Sequence, residues 1–187
     1  MNILNVKNRF EFRLWLESNS LKENECFIIV KKGRPVDTNI FYYLDAVEEA
    51  LCFGWIDSTH TIIDGIRYQR FSPRAKNSPW SELNKERVRR LIKLCLMKEC
   101  GLKILPDLNL RHFKFDIDII NSLKKERLWT RFKSYPFLYQ RIRAYNITFY
   151  KTRNKEMYFK ALNHLIEETK KNKMYGEWND YGRLLDY

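Results

Sequence analysis

Apolar side chains recur at helical spacing near the start of the chain, over residues 8–18, and again over residues 41–53. This period predicts two amphipathic helices, and Gly54 directly follows the second as a typical residue for ending a helix. The apolar positions of the first helix are Phe10, Leu14 and Trp15, with Phe12 and Leu16 widening the stripe. Between the two helices, the short β-branched run over residues 26–30 predicts a buried strand.

Two further runs rich in β-branched and aromatic residues follow, over residues 55–63 and 66–74. They flank Asp64 and Gly65, and an Asp-Gly pair between two such runs predicts a β-hairpin. Pro73 should end the second strand, because proline lacks the N–H that a strand ladder requires. The sequence therefore predicts about three antiparallel strands.

The rest of the chain has mainly helical patterns. One helix opens with Ser78 as its N-cap and Pro79 in its first turn, or one turn later at Ser81. Three more amphipathic helices follow a junction at residues 104–110, and they cover residues 117–132, 136–150 and 157–173. The aromatic tail from Met174 onward should lie against the body of the protein.

These elements define an α+β fold, with a small antiparallel sheet of about three strands, covering helices and a helical C-terminal part. We expect residues 1–104 to form the α+β part and residues 105–187 to form the helical part. The short connections favour packing of the two parts as one unit.

The composition excludes several classes of protein. Of the 187 residues, 44% are hydrophobic and 15% are aromatic, which is more buriable surface than a disordered chain carries. No apolar stretch approaches the roughly 18 to 20 residues of a membrane-spanning helix, and the first residues do not resemble a signal peptide. The cytoplasm is therefore the expected location.

The net charge of +12 comes from 35 Lys and Arg against 23 Asp and Glu, and it is unevenly distributed. Residues 35–66 contain six acidic residues and no Lys or Arg, whereas residues 67–98 contain ten basic and two acidic residues. Residues 103–160 contain fourteen basic and five acidic residues. Adjacent blocks of opposite sign indicate internal ion pairs or a polar cleft, rather than a uniform surface for nucleic acid.

The sequence lacks the usual motifs of metal, cofactor and nucleophile sites. Its four cysteines form no Cys-x-x-Cys pair and its three histidines are widely spaced, so we expect no metal site, no cofactor and no disulfide. Cys52 and His60 could form a pair of nucleophile and base. Cys52 lies in an apolar helical run, however, which favours a buried structural thiol.

Three motif blocks follow one another in the chain. They are E-A-L-C-F-G-W-I-D at residues 49–57, R-Y-Q-R-F-S-P-R at residues 67–74 and S-P-W-S-E-L-N-K-E-R-V at residues 78–88. In these blocks, and in its ending G-E-W-N-D-Y-G-R-L-L-D-Y, the chain resembles the YdeI/OmpD-associated family of bacterial proteins, also labelled bacteriocin-protection proteins. The resemblance implies a cytosolic protein linked to envelope stress or antimicrobial-peptide tolerance, and it brings no catalytic residues.

A candidate ligand pocket lies where these blocks would meet. Arginine offers a planar fork for phosphate or carboxylate, tryptophan can stack on a ring, and a helix start favours anions. The candidate residues are Trp55, Asp57, Arg67, Tyr68, Arg70, Arg74, Ser78, Trp80, Ser81 and Asn84. They predict binding of a small anionic or phosphate-bearing ligand. The other interpretation is structural, with the arginines paired to the acidic block and the tryptophans in the core.

Three other functions stay open. Residues 103–160 interleave basic and aromatic side chains, which is typical of a nucleic-acid surface but also fits a helical core. Those aromatic residues are Trp129, Phe132, Tyr135, Tyr139 and Tyr145. A basic amphipathic helix could instead dock on a membrane surface. An enzyme would need carboxylates with perturbed pKa values, at Asp45, Glu49 or Asp57, beside a deep pocket, with Asp57 and Arg70 as its central pair.

Overall fold

The structure, a computed structural model, describes residues 1–187 and has the α+β fold that the sequence predicts. The chain divides into two compact units. The first contains Met1–Pro79, Arg87–Pro106 and Tyr187, and the second contains Trp80–Glu86 and Asp107–Asp186. Residues 80–86 therefore belong with the helical part of the chain.

Three strands and eight α-helices make up the fold. In chain order they are α1 (Arg9–Asn19), β1 (Cys26–Ile28), α2 (Tyr43–Cys52), β2 (Trp55–Ile63), β3 (Ile66–Pro73), α3 (Glu82–Lys93), α4 (Glu99–Leu102), α5 (Ile117–Lys125), α6 (Trp129–Ser134), α7 (Phe137–Tyr150) and α8 (Lys155–Lys170). A short 3-10 turn at Leu110–His112 precedes α5. None of the helices combines the length and the apolar content that crossing a membrane requires.

The sheet has the strand order β1–β3–β2, and both strand pairs are antiparallel. Asp64 and Gly65 join β2 to β3 with φ angles of 50° and 77°. Two consecutive positive φ angles match the right-handed twist of a hairpin, and they confirm the predicted turn. β3 ends at Pro73, as predicted.

A β-bulge interrupts β2 between Asp57 and His60. The side chain of Gln69 on β3, which pairs with His60 at the edge of the bulge, donates to the carbonyls of Ser58 at 2.9 Å and Thr59 at 3.3 Å. β1 pairs with β3 only over residues 69–71. Between this pairing and the turn at Asp64 and Gly65, the hairpin has only two strands, and we call this part the two-stranded ribbon.

The buried face of α1 differs from the predicted stripe. Phe12 and Leu16 are fully buried, whereas Phe10 and Leu14 are exposed. Arg9 and Arg13 occupy the other positions of the inward face, where they contact carboxylates of α2. The apolar pattern was misleading because arginines fill two of the four inward positions, 9, 12, 13 and 16.

Close packing surrounds the C-terminal end of α2. Gly54 follows the helix with a φ angle of 76°, as expected for its predicted role. Gly101 lies so close to the same end that a Cβ on it would sit 2.3 Å from the carbonyl oxygen of Cys52. That carbonyl also accepts the backbone N–H of Lys98 at 2.9 Å.

α3 begins at Glu82, so the prediction of Ser78 as its N-cap is wrong and the alternative cap is used. The Ser81 hydroxyl accepts the backbone N–H of Asn84 at 3.1 Å, which satisfies a free donor of the first turn. Ser78 lies in the preceding loop, where its N–H donates to the carbonyl of Ala75 at 3.0 Å.

The second unit is built mainly from α5 to α8. The predicted helix over residues 117–132 is broken into α5 and α6, and Arg127 in the break has a φ angle of 58°. Trp178 and Leu184 from the tail are buried in the core of this unit, as predicted. The other core residues include Ile119, Leu123, Phe132, Tyr139, Ile142, Ile147, Leu162 and Leu165.

Candidate functional site

The acidic residues of α2 are buried and paired with arginines from distant parts of the first unit. Asp45, Glu48 and Glu49 share one face of the helix and are 7%, 0% and 3% exposed. Their ion pairs join Arg9 to all three carboxylates, Arg13 to Glu49 at 2.7 Å, and Arg90 to Glu48 at 2.7 Å.

This network explains much of the acidic block without a ligand. Burial opposes the charge of Arg9, but Glu49, Glu48 and Asp45 outweigh it and raise the pKa of that guanidinium. Buried charges persist only where such partners exist. The buried carboxylates of α2 are thus bound by protein groups, which is the arrangement of a structural network.

Two of the predicted pocket residues, Trp55 and Asp57, also have local partners. The Trp55 indole is 1% exposed and donates to the carbonyl of Ser20 at 3.0 Å. The carboxylate of Asp57 accepts the hydroxyl of Tyr43 at 2.5 Å. Trp55 is therefore a core residue, and Asp57 fixes the start of α2 to β2.

Arg70 pairs with an acidic residue outside the acidic block. Its Nε donates to Glu25 at 2.7 Å, and its Nη1 donates to the hydroxyl of Ser58 at 3.1 Å. Asp57 pairs in register with Phe71, the neighbour of Arg70 on β3, so Asp57 and Arg70 lie on opposite faces of the sheet. The structure does not bring these two side chains together.

Arg67 stands apart from the other arginines of the hairpin. Its Nη2 lies 3.0 Å from Nε2 of His60, and no carboxylate contacts either side chain. Both residues are exposed on the two-stranded ribbon. We call this pair, His60 and Arg67, the hairpin site. Tyr68, the next residue, pairs with Thr61 and points to the opposite face.

The remaining predicted pocket residues lie around the start of α3. In the first unit, Arg74 is half-buried and its Nη2 donates to the carbonyl of Pro79 at 3.1 Å. The hydroxyl of Ser78 is shielded from solvent and has no hydrogen-bond partner. In the second unit, Trp80, Ser81 and Asn84 are half-buried, and Ser81 serves as the helix cap.

The cysteines are separate thiols, and two of them are deeply buried. Burial raises the pKa of Cys52 to about 12, and it does the same for Cys26. His60 is exposed and contacts Arg67. This environment supports the interpretation of Cys52 as a structural residue. No group of three or more His, Cys, Asp or Glu side chains is arranged to hold a metal ion.

The aromatic residues of the predicted nucleic-acid surface lie largely inside the second unit. Phe132 and Tyr139 are fully buried in its core, and Trp129 and Tyr135 pack against that core. Tyr145 is half-buried. Few of these rings are free to stack on bases, so the cationic side chains carry whatever affinity this half has for polyanions.

Several partners in the site could not be found in the sequence. Arg9, Arg13, Glu25 and Tyr43 lie outside the three motif blocks, and they contact residues 14 to 45 positions away. The spacing of Arg9 and Arg13, one helical turn apart, was the one local signal of a shared acidic partner.

The fold and the site define an α+β protein with buried ion pairs in its first unit and an exposed hairpin that carries Arg67 beside His60. The chain belongs to the family described as a domain of unknown function, DUF8412, whose model matches residues 4–104. This range includes the sheet, the buried ion pairs of α2 and the hairpin site. No curated protein and no solved structure matches the chain significantly.

Proposed function

We propose that the hairpin site binds a small phosphate-bearing anion. The contact between Arg67 and His60, in place of an acidic partner, is the observation that carries this proposal. Arg70, on the same strand, has the carboxylate of Glu25 as a counter-ion. Arg67 has none, so its positive charge is available to a ligand.

The chemistry of the pair fits an oxyanion. A guanidinium has five N–H donors in a fixed plane, and His60 accepts only one of them. The others can bind two phosphate oxygens at once, which is the strongest arrangement that arginine offers.

We further propose that this binding serves a protective role in the bacterial cytoplasm, of the kind that the resemblance to the YdeI/OmpD-associated family implies. Arg67 is the first residue of the R-Y-Q-R-F-S-P-R block that carries part of that resemblance. A strain lacking the gene, complemented with either the wild type or R67M, should regain antimicrobial-peptide tolerance only with the wild type. Equal rescue by both proteins would contradict the link between the site and protection.

Binding can be tested directly by titrating the protein with inorganic phosphate and recording backbone amide shifts. Amides of residues 60–67 should shift and saturate. R67M should weaken this response at least about tenfold, because the charge and the hydrogen bonds are both lost. R67K should lie between the two, since lysine keeps the charge without the planar fork.

R34M is the matched control, because Arg34 is exposed in the same unit and has no ion pair. This variant loses the same charge, so it should bind phosphate as the wild type does. If R34M weakens binding as much as R67M, the effect is one of net charge and the hairpin site is refuted. The absence of saturable shifts at residues 60–67 would refute it as well.

A second candidate function is binding of nucleic acid by the second unit. Lys124, Lys125 and Arg127 are exposed at the end of α5 and in the following turn, and no carboxylate contacts them. Retention on immobilised DNA or RNA at low salt should fall steeply with ionic strength. The double variant K124Q/K125Q should reduce it. Retention that is absent or independent of salt would exclude this function.

A further inference from the structure

Arg143 on α7 lies against two tyrosine rings in the second unit. Its guanidinium carbon is 4.5 Å from the centroid of the Tyr175 ring and 5.4 Å from that of Tyr139. Such contacts hold a cation in place through the negative faces of the rings. The side chain is half-buried, and its Nε is shielded from solvent without a hydrogen-bond partner.

No carboxylate forms an ion pair with this guanidinium. Arg141, two residues earlier on α7, contacts the carboxylates of Glu82 and Glu86, whereas Arg143 contacts none. Burial raises the pKa of Tyr175 and of Tyr139, so neither phenol becomes an anion near neutral pH. A partly desolvated cation without a counter-ion is unfavourable, and a bound anion would remove this cost.

The tail of the chain is shaped to hold Arg143 in place. Gly176 has a φ angle of 69°, and a Cβ on this residue would lie 3.0 Å from Nη2 of Arg143. Glycine adopts this backbone conformation without strain and leaves the space that the guanidinium occupies. The guanidinium therefore packs against Tyr139 from its own helix and Tyr175 from the tail, with Gly176 leaving room beside it.

A second basic side chain borders the same tyrosine. The ring of His164 on α8 packs edge-on against Tyr175 with 4.3 Å between centroids. The carboxylate of Glu168 interacts electrostatically with His164, but its ion pair is with Lys171, at 2.9 Å. The ring of Tyr175 thus has the guanidinium of Arg143 and the imidazole of His164 as neighbours, and both side chains carry N–H groups that can donate to an oxyanion.

We propose that Arg143 anchors a second anion site, which takes the phosphate group of a small ligand and is separate from the hairpin site. The guanidinium supplies the main hydrogen bonds, the rings of Tyr139 and Tyr175 fix its orientation, Gly176 leaves room for it, and the imidazole of His164 offers a further N–H donor. The site belongs to the second unit, outside the residues that the DUF8412 model matches.

The full chain should be titrated with inorganic phosphate while the Nε–H resonance of Arg143 is followed by NMR. This resonance should shift and saturate in the wild type and in R67M, because the two sites are independent. The same titration with adenosine monophosphate identifies the source of the phosphate group. Tighter binding of the nucleotide assigns the site to a phosphate ester, and equal or weaker binding assigns it to free phosphate.

R143M and R153M form a matched pair of variants. Arg153 also stacks on an aromatic ring, with its guanidinium carbon 4.2 Å from the centroid of Phe149, but it is exposed and donates to a carbonyl. R143M should lose at least about tenfold in phosphate affinity at the second unit, and R153M should lose none. G176A keeps the charge, displaces the guanidinium and should also weaken binding.

The wild-type titration decides the question if R143M does not fold. A resonance of Arg143 Nε–H that fails to saturate with either ligand overturns the second site. Equal losses in R143M and R153M would overturn it too. Loss of the hairpin response in R67M with retention of the Arg143 response separates the two proposals, since each can fail while the other survives.

Discussion

Arg141 donates from Nη1 to Oε2 of Glu82 across 2.6 Å, and the two side chains are only 2% and 4% exposed. Its Nη2 donates to Glu86 at the same distance. One guanidinium thus joins the first two turns of α3 to α7 within the second unit. Removing one member of a buried ion pair of this kind destabilises a protein far more than replacing all of its members by apolar residues.

R141M should destabilise the protein by about 3 to 5 kcal/mol, because it removes from the interior the guanidinium that contacts both Glu82 and Glu86. Urea unfolding monitored by circular dichroism measures this change. The triple variant R141M/E82L/E86L should recover most of the loss, since the three charges of this cluster are then absent together. If R141M alone were as stable as the wild type, the charges would be solvated and the pairing would contribute little.

The pH dependence of the second unit should depend in part on Asp116. Burial raises the pKa of the Asp116 carboxyl, but hydrogen bonds from Lys151 and from the backbone N–H of Asp118 outweigh burial and lower this pKa. Its folded pKa therefore lies below the unfolded value of about 3.9. The stabilisation is complete above the unfolded value and is lost as the pH falls through the folded value.

D116N tests this dependence, because asparagine keeps the N-cap and removes the charge. The variant should be less stable than the wild type at pH 7, and the difference should shrink as the pH falls from 7 to 2. Thermal unfolding between these limits measures it. D118N, at a side chain that is 52% exposed, should have a smaller effect. A constant difference between D116N and the wild type over this pH range would contradict the ionic contribution.

Local signals predicted the elements whose ends depend on nearby residues. The first helix was predicted to begin at residue 8, and Asn8 is its N-cap, accepting the N–H groups of Phe10 and Glu11; the Asp-Gly turn forms the predicted hairpin. The start of α3 was ambiguous, because Ser78 and Ser81 both have the chemistry of a cap. The observed choice depends on a loop conformation that the sequence pattern does not specify.

The candidate site was less predictable, because ion pairs join residues that are far apart in the chain. Glu49 pairs with Arg9 and Arg13, which are 40 and 36 residues away. The adjacent acidic and basic blocks favoured partners for Arg70 inside the acidic block, yet its partner is Glu25. Net charge within a segment reports on composition, whereas pairing follows from the tertiary fold.

Gly101 should tolerate no side chain. In G101A the new Cβ would lie 2.3 Å from the carbonyl oxygen of Cys52 and 2.9 Å from its carbon, so backbone must move on both sides. We expect a loss of about 2 to 4 kcal/mol in the free energy of unfolding, comparable to other severe packing errors.

G33A is the comparison for this variant. Gly33 has a φ angle of 105° but no atom within 4 Å of an added Cβ, so only backbone strain changes. It should cost about 1 kcal/mol. Both values come from the same denaturant titration. If G101A were no worse than G33A, α4 would be free to move away from α2 without loss.

The cysteines should differ in their rate of alkylation according to how deeply each is buried. Cys26 and Cys52 are at most 1% exposed, and burial raises the pKa of each to about 12, so at pH 8 about one thiol in ten thousand is ionised. Cys95 is exposed. Iodoacetamide should therefore label Cys95 rapidly in the folded protein and label Cys26 and Cys52 only after unfolding, as peptide mass analysis would show.

C95S removes the rapid reaction and leaves the slow ones unchanged. Rapid labelling of Cys52 in folded C95S would contradict its assignment as a buried structural thiol and reopen its pairing with His60 as nucleophile and base.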